Sequence, residues 1–111
     1  MAQLSNLKVL HLVENGLTGA IPTQLGQLDN LEVLALRNND LTGVIPTQLG
    51  QLHNLVELSF GHNDLTGFIP TELGQLHNLE RVWFYPNSFS GTIPKEVCDI
   101  SGITTLEAEC Q

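Results

Sequence analysis

The chain has 111 residues, 41% of them hydrophobic, with 12 acidic against 4 basic side chains and a formal charge of −8. That is enough apolar material for one modest core and too much for a disordered acidic tail, while the negative balance repels nucleic acid and anionic membranes. No apolar run reaches the roughly 18 residues that cross a bilayer, and the opening MAQLSNLKVL lacks the cationic start and apolar core of a signal peptide.

Residues 39–55 read NDLTGVIPTQLGQLHNL and residues 63–79 read NDLTGFIPTELGQLHNL. Aligning the chain on itself gives units at 4–27, 28–51, 52–75 and 76–99, with a partial unit or cap start at 100–111, so residues 1–111 form a single domain. The period of 24 residues is too short for a βαβ crossover, which needs about 30.

In the first unit, Leu4 and Leu7 precede a strand over Val9–Leu12, where Leu10 and Leu12 alternate with variable residues at the strand period. Asn15 follows at a bend, placed to pair backbone groups that leave the sheet. Gly19, Ile21, Pro22 and Leu25 then lead into a short helical turn closed by Gly26. The second unit repeats this with a strand over Val33–Leu36, Asn39, Gly43 and Gly50; the third with Glu57–Phe60, Asn63, Gly67 and Gly74. The fourth has Arg81–Phe84, Asn87 and Gly91, but Cys98 stands where a glycine closes the other turns. A last strand is expected over Thr105–Ala108. Since every unit runs the same way round, the strands stack in parallel about 4.8 Å apart, and no unit buries its leucines alone.

The frame NxLTGxIPxxLGxL, present as LTGAIP, LTGVIP, LTGFIP and FSGTIP, resembles the plant-type leucine-rich repeats of receptor-kinase ectodomains and polygalacturonase-inhibiting proteins. Similar repeats occur in algal and diatom proteins. The resemblance spans Leu4 to Gln111 and implies a leucine-rich repeat solenoid of the α/β class, mostly parallel β with short helical turns in a right-handed coil. It also implies a second, outer strand at each LTGxIP. Members of this family carry cysteine-bearing caps, whereas this chain enters a repeat at once and stops within one; a fragment of a larger receptor-like or secreted protein is expected, extracellular or at the cell surface. Cys98 and Cys110 are twelve positions apart and fall near opposite ends of the last strand, so they are expected not to bond to each other, since a disulfide needs Cα atoms within about 7 Å.

The units differ where strand residues alternate with the leucines and just beyond, on the concave sheet that the resemblance makes the binding face. In order these positions hold Val9, His11, Val13 and Glu14; Val33, Ala35, Arg37 and Asn38; Glu57, Ser59, Gly61 and His62; Arg81, Trp83, Tyr85 and Pro86; Thr105, Glu107, Glu109 and Cys110. The candidate partner-binding residues are His11, Glu14, Arg37, Asn38, Glu57, His62, Arg81, Trp83, Tyr85, Glu107 and Glu109. Arg81, Trp83 and Tyr85 put the one Trp, the one Tyr and an Arg in a single alternating row, and these are the residue types that dominate interface hot spots. Glu57, Glu107 and Glu109 beside them suit a partner carrying Lys or Arg.

His53 and His77 share a column with Asp29, but that column lies at a solvated edge, so no metal site is assigned. Glu107 and Glu109 lack a desolvated pocket, and there is no nucleophile elbow, phosphate loop or HExxH motif; no catalysis and no cofactor are expected. The hydroxyl columns Thr18, Thr42, Thr66, Ser90 and Thr23, Thr47, Thr71 raise an alternative, a surface that templates ice or polysaccharide, although Lys95 breaks the second column. The favoured reading is a non-enzymatic module that recognises a protein or peptide, with no nucleic-acid partner and no membrane segment.

Overall fold

The computed structural model describes residues 6–107 of the chain. Five three-residue strands, β1 (Val9–His11), β3 (Val33–Ala35), β5 (Glu57–Ser59), β6 (Arg81–Trp83) and β7 (Thr105–Glu107), form one parallel sheet in that order. Val9 pairs with Val33, Val33 with Glu57, Glu57 with Arg81 and Arg81 with Thr105, so each step across the sheet is 24 residues along the chain. The five strands start where the alternating pattern places them, and β1, β3, β5 and β6 end one residue earlier than expected. Leu4 and Ala108 lie outside the described residues.

The alternation sorts the side chains. Leu34, Leu58 and Val82 are fully buried, as are Phe60 and Phe84 one step beyond the strands. Ile45, Leu49, Leu52 and Leu55 complete a coil's share of the core, which is continuous from one coil to the next. Burying one such side chain is worth about 1.5–3 kcal/mol, and here the burying surface belongs to the neighbouring coil. In unit one the equivalents Leu7, Leu10, Leu12 and Leu17 are only partly buried and line a cavity of about 360 Å³ at the coil's end.

At the bends of units two to four an asparagine joins two coils. Asn63 Nδ2 donates to the carbonyls of Phe60 (2.8 Å) and Leu36 (3.0 Å), while its Oδ1 accepts from the Leu41 amide at 3.1 Å. Asn39 does the same with Leu36, Leu12, Asn15 and Leu17, and Asn87 with Phe84, Phe60 and Leu65. The amide thus satisfies backbone groups that neither sheet nor solvent reaches. A second, exposed asparagine ladder runs along the opposite edge, where Asn54 donates to Asp29 O (2.9 Å) and Asn78 to His53 O (3.0 Å). The Asn-Leu pair repeated before the first four strands of the sheet was its only sequence signal.

Two expectations need correction. The turns at Thr23–Gln27, Thr47–Gln51 and Thr71–Gln75 are 3₁₀ helices that contain Gly26, Gly50 and Gly74 rather than ending on them. These glycines serve close approach between coils: a Cβ at Gly26 would lie 2.5 Å from the Gln48 carbonyl oxygen, and one at Gly50 would lie 2.6 Å from that of Glu72. The outer strand appears as a ladder of two, β2 (Thr18–Ala20) and β4 (Asp40–Thr42). In later units only its hydrogen bonds persist, from Asp64 N to Leu41 O and from Ser88 N to Leu65 O.

The fourth turn is the short helix α1 (Lys95–Cys98). Cys98 is disulfide-bonded, and among the described residues there is no free cysteine. Cys110 lies outside the described residues. Among the described residues no helix is long and apolar enough to cross a membrane.

Replacing Asn63 by Ala leaves the buried Leu41 amide unpaired and removes one of the two side-chain donors at each of the Leu36 and Phe60 carbonyls; it is expected to cost about 1–3 kcal/mol in urea unfolding, a loss that Asn54→Ala at the exposed ladder will not match. Iodoacetamide is expected to leave Cys98 unmodified until a reductant is added; labelling without reductant would contradict the bonded state.

Candidate functional site

Residues 9, 11, 33, 35, 57, 59, 81 and 83 lie opposite the core leucines, on the sheet's other face. Large side chains stand out on it: Val9 is 52% exposed, His11 is exposed, and Arg81 and Trp83 are half-buried. Ala35 and Ser59, expected as open positions, are buried at 1% and 2% exposure. In register Ala35 sits between His11 and Ser59, and Ser59 between Ala35 and Trp83, so short side chains are shadowed by larger neighbours a strand away. The face is therefore a trough floored by Ala35 and Ser59 and walled by His11 on one side and Trp83 on the other.

Glu57 and Arg81 are direct register partners on β5 and β6. Arg81 Nε donates to Glu57 Oε1 at 3.0 Å, and Arg81 Nη1 lies 3.5 Å from Glu80 Oε1. With both groups part-exposed, the pair adds at most about 1 kcal/mol to stability. Its larger effect is positional, since Arg81 is held beside Trp83 and Glu57 is already matched in charge. Arg37, one coil off, is exposed and outside any ion pair found among the described residues.

The rim beyond the strands is unusual backbone. Glu14, Asn38 and His62 occupy one column with φ of 59°, 60° and 58°, a left-handed conformation that costs a non-glycine residue about 1–2 kcal/mol. Pro86 fills that column in unit four, where its ring forbids such a φ. The bonding shifts accordingly: Glu14 N donates to Arg37 O and Asn38 N to Gly61 O, but His62 N donates to Pro86 O, one residue further on. The displaced Tyr85 carbonyl approaches the previous coil so closely that a Cβ at Gly61 would sit 2.6 Å from it. Gly61 is thus the one residue that fits, a role its place in a column of side chains did not announce.

Tyr85 does not stand clear of the packing as its alternation predicted. It is half-buried against the core, with its ring edge-on to Phe89 at 5.8 Å; Phe89 is in turn edge-on to Phe84 at 6.4 Å. Glu107 stands opposite Trp83 in backbone register, though its side chain is not among those described. Glu109 lies outside the described residues.

Elsewhere, Asp29, His53 and His77 are exposed, and among the described residues no group of three His, Cys, Asp or Glu side chains comes together to hold a metal. The hydroxyl column Thr18, Thr42, Thr66 and Ser90 is exposed, with Thr66 Oγ1 directed at Gly43 O at 3.4 Å.

The family described as Leucine rich repeat matches residues 5–65 and 29–82. No curated protein matches the sequence. Among solved structures, the chain is similar to the ectodomain of the plant membrane receptor kinase GASSHO1/SCHENGEN3 from Arabidopsis thaliana, in complex with CASPARIAN STRIP INTEGRITY FACTOR 2. Identity is 42%, the TM-score is 0.90, and the match covers 93% of this chain and 12% of that one. It is also similar to the plant peptide hormone receptor RGFR1 in complex with RGF2, at 36% identity and TM-score 0.90, covering 94% and 17%. The ectodomain of the receptor kinase SOBIR1 from Arabidopsis thaliana matches at 36% identity and TM-score 0.85, covering 92% and 56%. The chain thus spans between 12% and 56% of these proteins.

The aromatic contacts predict unequal costs. Tyr85→Ala removes the edge contact with Phe89 and is expected to lower stability by about 1–2 kcal/mol in thermal or urea unfolding. Trp83→Ala, on the open strand face, is expected to cost less than half of that.

Proposed function

The chain belongs to the leucine-rich repeat family, and we propose that it serves as a recognition module, without catalysis, for a peptide or an extended segment of a protein. The observation that carries this reading is the trough: a floor of Ala35 and Ser59 ends at Trp83, with Arg81 locked beside it by Glu57. Short floor residues let a backbone approach the sheet, and the half-exposed indole offers a rigid apolar wall to its side chains. Because the guanidinium is held in place before a ligand arrives, little side-chain entropy remains to be lost there.

Two of the similar structures support the class of ligand: one is a plant peptide hormone receptor in complex with RGF2, the other a receptor-kinase ectodomain in complex with CASPARIAN STRIP INTEGRITY FACTOR 2. The chain's charge of −8 favours encounter with a cationic ligand. The acid groups offered for contact are Glu14 and, by their place in the sequence pattern, Glu107 and Glu109, since Glu57 is matched by Arg81. The chain would act as part of a longer ectodomain at the cell surface or outside the cell.

The test is a selection of twelve-residue displayed peptides on the wild-type chain, followed by affinity measurement. Trp83→Ala is expected to weaken the selected peptides by about 2 kcal/mol, roughly thirtyfold. Undiminished binding by that variant would remove the trough as the site.

A further inference from the structure

A second surface lies on the outer ladder. Ala20, Val44 and Phe68 occupy the same place in successive units, and each is laid over the glycine of the next coil. A Cβ at Gly43 would be 3.6 Å from Ala20 Cβ, one at Gly67 2.8 Å from Val44 Cγ1, and one at Gly91 3.6 Å from Phe68 Cδ1. The side chains therefore overlap like shingles, and they are exposed: Val44 at 54% and Phe68 at 74%. Beyond Phe68 a groove of about 390 Å³ opens between the third and fourth coils, lined by Ile69, Thr71, Gly91, Thr92, Pro94 and Glu96. Single exposed apolar residues are unremarkable; a shingled row of three ending in a groove is a continuous patch of the kind that marks interaction sites.

The charges around it are of one sign. Four residues before the apolar column stand Asp40 and Asp64; Glu72 stands four residues after Phe68, and Glu96 holds the same place in the next unit, four residues after Thr92, all exposed. Among the described residues none of these four is in an ion pair, and the nearby Lys95 is held by Asp99 at 2.5 Å. The patch thus has an apolar centre and an acidic border on both sides.

Its size selects the partner. Three coils at about 4.8 Å and eight residues at about 3.3 Å enclose roughly 400 Å², half of the about 800 Å² that a stable interface takes from each partner. We propose that this strip docks a short extended segment of a partner protein, with aliphatic side chains that seat on Val44 and Phe68 and lysine or arginine at each end to meet the two acidic borders. The apolar centre supplies the contact and the borders fix its placement and charge preference.

The probe is a labelled peptide, Lys-Lys-Leu-Ser-Leu-Ser-Lys-Lys, whose alternation puts both leucines on one face; binding to the full chain is read by fluorescence anisotropy at physiological salt. The wild type is expected to bind it at least tenfold more tightly than Phe68→Ser, and at least tenfold more tightly than it binds the version with serine in place of leucine. Trp83→Ala is expected to bind as the wild type does, which separates this surface from the concave face. Absence of binding, equal binding by Phe68→Ser, or loss in Trp83→Ala would each overturn the proposal. Should Phe68→Ser shift the melting temperature, the double variant Asp64→Asn, Glu72→Gln decides: at least a threefold loss is expected, and no loss overturns it.

Discussion

The structure depends on how the backbone is satisfied where it leaves the sheet. A parallel sheet pairs its strands along three residues per coil; the chain must then bend inward over a core that offers no hydrogen-bond partners. Asn39 answers this with one amide that serves Asn15 N, Leu17 N, Leu12 O and Leu36 O, groups drawn from two coils. Because Asn39, Asn63 and Asn87 each reach back to the preceding coil, they set the stacking as well as the bend. Sheet register, core continuity and the placement of the open face all follow from that shared bonding.

Close stacking then restricts what the neighbouring positions hold. Gly26, Gly50 and Gly74 are required by the next coil's backbone, and Gly61 by the displaced carbonyl of Tyr85. The first three recur because the contact recurs. Gly61 occurs once because the contact does, at the unit where Pro86 breaks the left-handed column of Glu14, Asn38 and His62. A glycine that repeats therefore reports the scaffold, and a glycine that does not repeat reports a local departure that shapes the site.

This distinction explains how far the sequence could be read. The period, the inward leucines and the asparagine ladder were legible because each solves the same problem in every coil, so repetition itself carries the signal. Properties that depend on a neighbour 24 residues away were not. Ala35 and Ser59 alternate as open positions should, yet are covered, because cover depends on the size of His11 and Trp83 across the sheet. The matching of Glu57 by Arg81 was hidden for the same reason: the two columns were read one unit at a time.

The fourth unit shows that face and scaffold are not independent. Aromatic residues stand at two of its inward positions: Phe84 after the strand, as Phe60 does in unit three, and Phe89 where the other units have Leu17, Leu41 and Leu65. Tyr85 leans on Phe89 and Phe89 on Phe84, so the ring at the rim is held by two rings beneath it. A leucine at residue 89 would fill the core but offer no ring edge to the tyrosine, and the rim would lose its fixed aromatic wall. The core substitutions of unit four therefore belong to the recognition surface as much as to the packing: the coil that presents the most distinctive side chains is also the one whose interior has been rebuilt to hold them.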